Sequence, residues 1–161
     1  MKRFFLFITL LITVTGAFAQ NGKSIYQKYS NAKDVSTVYV SPAMFRLIGK
    51  IPDLKIDGSD VDLSPIIRSL TGLYLIDSEN PSVNAGLQAD VERFIAAGDY
   101  ELLLEANDAG QTVRIYSAGS DKIVNRFVMF AEDGGETTFV CIEGQIDRDQ
   151  LEKILAEQMK R

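Results

Sequence analysis

Apolar positions along this chain recur with two different periods, and the switch between them divides it. Thr37-Val38-Tyr39-Val40 is a short β-favouring run. Ser41-Pro42 then supplies an N-cap followed by proline at the first helical position, where its missing N–H costs nothing. Met44, Ile48 and Ile51 follow on one face at helical spacing until Pro52. The same start returns at Ser64-Pro65, with Ile66, Ile67 and Leu70 behind it and Gly72 as the stop. Start and stop chemistry accounts for the shared Ser-Pro…Gly spacing without an internal duplication. Leu73–Ile76 reads as a buried strand. From Ser82, Val83, Leu87, Val91, Phe94 and Ile95 make one apolar stripe, closed by Gly98 as the C′ residue.

After Gly98 the period drops to two. Strands are predicted over Tyr100–Ala106, Thr112–Ser117, Lys122–Ala131 and Thr137–Gly144. Asn107-Asp108-Ala109-Gly110, Gly119-Ser120-Asp121 and Asp133-Gly134-Gly135 supply the turns between them. A last helix opens with Asp147 as N-cap and Gln150 three residues on, and its apolar side carries Leu151, Ile154 and Leu155. The order β-α-(α)-β-α-ββββ-α predicts a single α+β domain of two layers over residues 37–161. Its sheet is expected to be mixed, to end in a four-stranded antiparallel meander, and to carry helices mainly on one face. Residues 20–36 read as a polar lead-in with one helical turn.

The first nineteen residues have a different character. Lys2 and Arg3 precede the apolar run Phe4–Val14, and Ala17-Phe18-Ala19 is a small-x-small site. Those are the three regions of a secretory signal peptide, and the run is too short to span a bilayer as a helix. Cleavage is expected after Ala19, which places the product in the periplasm or outside the cell. The segment holds no cysteine for lipid attachment, so no stable membrane anchor is expected after cleavage. Loss of Lys2 and Arg3 takes the balance from 17 basic against 22 acidic residues to 15 against 22, a formal charge of −7. Acidity of that size disfavours nucleic acid as a partner.

Composition narrows the chemistry further. The 161 residues are 46% hydrophobic and 24% charged, a globular balance, but include no histidine, no tryptophan and one cysteine. Serine–histidine–aspartate and cysteine–histidine catalysis, histidine-ligated metals and an internal disulfide are therefore excluded. Cys141, between Val140 and Ile142, reads as a small core hydrophobe. Asp53, Asp57, Asp60 and Asp62 surround Gly58, and Asp57, Asp60 and Asp62 are the candidate ligands for a weak calcium site. The EF-hand order is missing, so the blander reading is a solvated loop of turn-forming aspartates. Glu101 with Glu105, or Asp121 with Asp133, are the candidate acid/base pairs for a carboxylate hydrolase. No cofactor is implied.

The meander raises one question of packing. Val113 and Ile115 lie on one side of their strand and Thr112, Arg114 and Tyr116 on the other. Phe127 and Met129 oppose Val128 and Phe130, and Phe139 and Cys141 oppose Val140 and Ile142, so two strands are apolar on both faces. One layer of helices cannot hide both. Either the early segments wrap the second face, or that face is a partner-binding patch, for which Tyr116, Val128, Phe130, Val140 and Ile142 are the candidates.

Ser36-Thr37-Val38-Tyr39-Val40-Ser41-Pro42-Ala43-Met44-Phe45 resembles the opening of the domain-of-unknown-function family number 4252. The resemblance continues through Leu73-Tyr74-Leu75-Ile76, the acidic meander and the Ile146–Ile154 region. It implies an exported protein of Bacteroidetes-type bacteria, in an envelope signalling or stress context, with no catalytic residues to carry over. Relatives with a lipid-bearing cysteine are implied too, and this chain departs from them. The sequence thus points to a non-catalytic binding domain for an envelope protein or a small ligand. A carboxylate hydrolase and a self-associating structural subunit are the alternatives, and the oligomeric state is left open.

Overall fold

A computed structural model describes residues 21–51 and 62–159 of the chain. Helix α1 (Gly22–Tyr29) leads into strand β1 (Val35–Val40), helix α2 (Pro42–Ile48), helix α3 (Ser64–Ser69), strand β2 (Leu70–Ser78) and helix α4 (Pro81–Ala96). The meander β3 (Tyr100–Asp108), β4 (Gln111–Gly119), β5 (Ile123–Asp133) and β6 (Glu136–Asp147) follows, and helix α5 (Arg148–Met159) closes the chain. The α+β single domain with its four-stranded meander is as the sequence predicts.

The six strands form one open sheet in the order β1-β2-β6-β5-β4-β3. All neighbouring pairs are antiparallel, so the expected mixed sheet is corrected to an antiparallel one. The physical reason lies in α4. It carries the chain from β2 near one side of the sheet to β3 at the far edge, and the meander then returns strand by strand until β6 docks on β2. Two-residue turns close two of those hairpins. Ala109 and Gly110 both take positive φ, as do Gly134 and Gly135, the geometry that matches the twist of antiparallel strands.

Capping chemistry sets the helix starts. Ser41 accepts a hydrogen bond from the Met44 amide, as its position before Pro42 predicts. Asn80, rather than Ser82, caps α4, because its side chain accepts from the Ser82 amide and Pro81 occupies the first turn. At α3 the helix begins at Ser64 itself, whose amide is met by the Asp62 carboxylate.

The lead-in is the larger correction. Residues 22–29 form a helix closed at its start by a reciprocal Asn21–Ser24 capping box. Ile25 and Tyr29 enter the core beside Leu87, Val91 and Phe94 of α4. Both helices lie on the same side of the sheet, over Tyr74, Ile76, Val128, Phe130, Phe139 and Cys141. Helices α2 and α3 pack on each other and against the start of β2 and the end of β6. Helix α5 continues β6, with the Asp147 carboxylate accepting from the Gln150 amide as predicted.

Candidate functional site

Strand parity divides the sheet into a covered and an open face. Along β2 every second residue from Gly72 to Ser78 is buried, and those between are half-buried. Along β6 the same alternation buries Thr137, Phe139 and Cys141 beneath the helices and leaves Thr138, Val140 and Ile142 on the other side. The register extends that other side across the sheet. Leu73 pairs with Ile142 and Leu75 with Val140; Ile142 pairs with Phe127 and Val140 with Met129; Met129 in turn pairs with Ile115. At the edges Ile115 meets Leu104, and Leu75 meets Val38. A continuous apolar surface therefore runs from β1 to β3 on the face away from α1 and α4, and none of its members falls in the buried class.

The five residues that the sequence marks as partner-binding are split by this register. Val140 and Ile142 stand on the open face. Val128 is fully buried and Phe130 is 4% exposed, both under the helices. Tyr116 pairs with Val128 and is packed against the same core. Val128 and Phe130 are thus corrected from surface to core, and Tyr116, half-buried, is corrected from the open face to the helix side. The cause is pairing: Val128 lies opposite Cys141 and Phe130 opposite Phe139, so each shares its face with the odd-numbered residues of β6. Phe127 and Met129 are the true neighbours of Val140 and Ile142. Sequence reasoning missed them as surface residues because two-faced apolar strands carry no internal mark of which side is covered.

β4 sharpens the point. Its apolar side chains, Val113 and Ile115, point to the open face, whereas Arg114 and Tyr116 share the helix side with Phe130 and Val128. On β3 the same inversion puts Leu104 and Ala106 on the open face and Glu105 on the helix side, where it accepts from Arg114 at 2.7 Å. Arg114 holds the Glu105 carboxyl below the ordinary carboxylate range. In a sheet with one solvated face, the polar side of a strand is the side expected in water. Here β3 and β4 present their apolar side outward.

Polar chemistry is scattered around this surface. At the end holding the β3–β4 and β5–β6 turns, Asp77, Glu79, Asp133 and Glu136 crowd together, and Asp77 pushes the Glu136 carboxyl above its ordinary range. A groove of about 180 Å³ lies between α4 and β4, lined by Val91, Ile95, Arg114, Tyr116 and Phe130. It is smaller than the ~300–1,000 Å³ of a typical small-molecule site. Asp90 is buried between α1 and α4, where it binds Lys28, the Tyr29 hydroxyl at 2.7 Å and Arg93. Cys141 lies fully buried behind Gly22, and burial pushes its thiol up to about 12.

The candidate acid pairs are not brought together. Glu101 and Glu105 lie on opposite faces of β3, since Glu101 pairs with Ser117 and Glu105 with Arg114. Asp121 and Asp133 stand at opposite ends of β5, roughly 30 Å apart for a strand of that length. Glycoside hydrolysis needs its two carboxyl groups within about 10 Å. Of the calcium candidates, Asp57 and Asp60 lie outside the described residues, and Asp62 accepts a hydrogen bond from the Ser64 amide just before α3. Among the described residues no group of three or more acidic or cysteine side chains could hold a metal ion, and no helix is long and apolar enough to cross a membrane.

Residues 29–154 match the model of the family described as domain of unknown function (DUF4252). The chain belongs to that family. No curated protein and no solved structure matches the chain. The matched span of this DUF4252 domain begins at Tyr29, inside α1, and ends within α5, so it takes in the entire sheet and with it the whole open face.

Proposed function

We propose that this DUF4252 domain is an exported, non-catalytic binding module of the cell envelope that docks a protein partner on its open sheet face. The inverted polarity of β4 carries the reading: Val113 and Ile115 face away from the helices while Arg114 faces toward them. Burial of apolar surface drives association, and an apolar surface that crosses all six strands, half-buried at its centre and exposed at its Val38 and Leu104 edges, is of the kind that marks interaction sites. The nineteen-residue start with its basic, apolar and small-x-small regions supports export. Glu101 and Glu105 on opposite faces of β3, and Asp121 and Asp133 at opposite ends of β5, favour docking over carboxylate catalysis.

A double variant, Met129→Lys with Val140→Lys, places two charges at the centre of the face, on side chains that pair across β5 and β6. Both chains would be immobilised and exposed to an envelope extract. The native chain is expected to retain a protein that the variant does not, with the thermal melt of the variant within a few degrees of the native one. Identical retention by both would overturn the reading.

A further inference from the structure

We infer that the partner of the open face is a protein segment of apolar side chains ending in lysine or arginine. Its cationic end seats in an acidic cleft beside the β3–β4 and β5–β6 turns. The inference rests on the docking reading above and names the chemistry of its partner. Register joins cleft and face. Leu75, Val140, Met129 and Ile115 stand in one row across β2, β6, β5 and β4. Two residues further along the strands, Asp77, Thr138, Ala131 and Val113 make the next row on the same face. Glu136, Asp133 and Gln111 follow beyond it. A cleft of about 240 Å³ opens here, lined by Val113, Ala131, Thr138, Gln111, Asp133 and Glu136. It is below the ~300–1,000 Å³ of a small-molecule site and suits a single long side chain.

Charge selects the partner. Asp77, Glu79, Asp108, Glu132, Asp133 and Glu136 all lie at this end of the strands. The cations here are already matched: Lys33 adjoins Asp34, and Arg114 is bonded to Glu105 on the helix side. Asp133 accepts from the Gln111 side-chain amide and Asp77 from the Thr138 hydroxyl, each at 2.8 Å and each from a neutral donor. Among the described residues no ion pair engages Asp77, Glu79, Asp133 or Glu136. The opposite end carries acids too, but there Asp121 adjoins Lys122, Asp147 adjoins Arg148 and Glu152 adjoins Lys153. Asp99, Glu101 and Asp149 remain, a smaller excess without a cleft on the open face beside it. Acids crowded without a counter-charge repel one another, and Asp77 accordingly holds the Glu136 carboxyl above its ordinary range. An arriving ammonium or guanidinium relieves that repulsion, whereas an anionic surface adds to it. The acidic end then steers and orients the partner, and the apolar rows supply the buried area.

Titration with two synthetic helical peptides tests this, alike in a leucine stripe but ending in a run of lysines or a run of glutamates. The lysine peptide is expected to bind the native chain roughly tenfold or more tightly than the glutamate peptide. Asp133→Asn/Glu136→Gln should weaken the lysine peptide roughly three- to tenfold and flatten its salt dependence. Met129→Lys/Val140→Lys should weaken it as well. Asp149→Asn/Glu152→Gln makes the same change of net charge at the other end and should leave the affinity unaltered. All four of these acids are exposed, so neither neutralised pair disturbs folding. Equal loss in the two neutralised chains, or none in Asp133→Asn/Glu136→Gln, overturns the cleft. Equal, face-dependent binding of both peptides overturns the cationic partner and leaves the docking reading standing. Failure of both peptides to bind overturns the cationic partner too. The docking reading then survives only if an extract protein is still retained in a face-dependent way.

Discussion

Asp90 is carried into the interface between α1 and α4 with donors from both helices on its carboxylate. Burial alone would push its carboxyl up, but the hydrogen bonds from Lys28 and Tyr29 outweigh that and hold it below the ordinary range. A folded value below the unfolded one of about 3.9 means that the cluster stabilises the fold fully above that pH. The contribution is lost as pH falls through the folded value. Lys28 and Arg93 keep more than half of their side chains in water, so both can rehydrate when the carboxylate is removed. Asp90→Asn is therefore expected to cost about 1–2 kcal/mol at neutral pH, nearer to a lost charged hydrogen bond than to a broken buried pair. Urea melts at pH 7 and pH 3 check it. The variant should lose less stability between those pH values than the native chain, and an equal loss would contradict the account. Nothing in the sequence marks Asp90 out: it sits on the α4 helix among Gln88, Glu92 and Arg93, where a solvated carboxylate is the ordinary expectation.

Among the elements, α1 carries its helical signal within a stretch of polar composition. Ile25, Tyr26 and Tyr29 stand alone in a polar stretch, too few for an amphipathic stripe by count, yet their spacing places Ile25 and Tyr29 one helical turn apart. Tyr26 and Tyr39 both pack against Tyr74, with Tyr39 and Tyr74 stacked at 5.3 Å, so the short helix is fixed to β1 and β2 by aromatic contact. Gly22 permits the approach. A Cβ there would lie 2.5 Å from the Cys141 Sγ and 2.9 Å from its Cβ. Gly22→Ala is expected to displace the start of α1 and to destabilise by about 1–3 kcal/mol, the usual range for overpacking. Cys141→Ala in the same chain removes the sulfur and should recover part of that loss, giving a favourable coupling in a double-mutant cycle. The thiol reports the displacement directly. Buried and with its pKa raised, it should be inert to a disulfide reagent at pH 8 in the native chain and react measurably faster in Gly22→Ala. Additive losses with unchanged labelling would separate α1 from Cys141. The strands of the meander were legible because turns with glycine at fixed places bound each of them. Their facing was not, since a one-residue change of pairing between β5 and β6 exchanges Val128 for Phe127 at the surface.

For the molecule as a whole, an open sheet leaves two edges, and their lengths differ. β1 offers six residues and β3 nine, with Leu102, Leu103 and Leu104 each about half exposed. An exposed apolar edge is a template for pairing with another chain unless something interrupts it. Here the interruption is a bulge. Leu102 pairs with Tyr116 and Leu104 with Ile115, so Leu103 is the extra residue on β3, with Glu101 before it and Glu105 after it. Deleting Leu103 would restore regular pairing while every other residue of β3 keeps its face, so the core is untouched and the edge becomes straight. The expected result is a chain that melts cooperatively near the native temperature but associates with rising concentration through its β3 edge. The measurement belongs in the Met129→Lys/Val140→Lys background, where the open face is blocked and edge association is seen alone. Light scattering that rises with the deletion, and falls again when Leu102 or Leu104 is changed to lysine, would identify the bulge as the device that keeps the β3 edge from pairing with another chain. A deletion chain that scatters no more than its parent would show that Glu101 and Glu105 suffice to protect the edge.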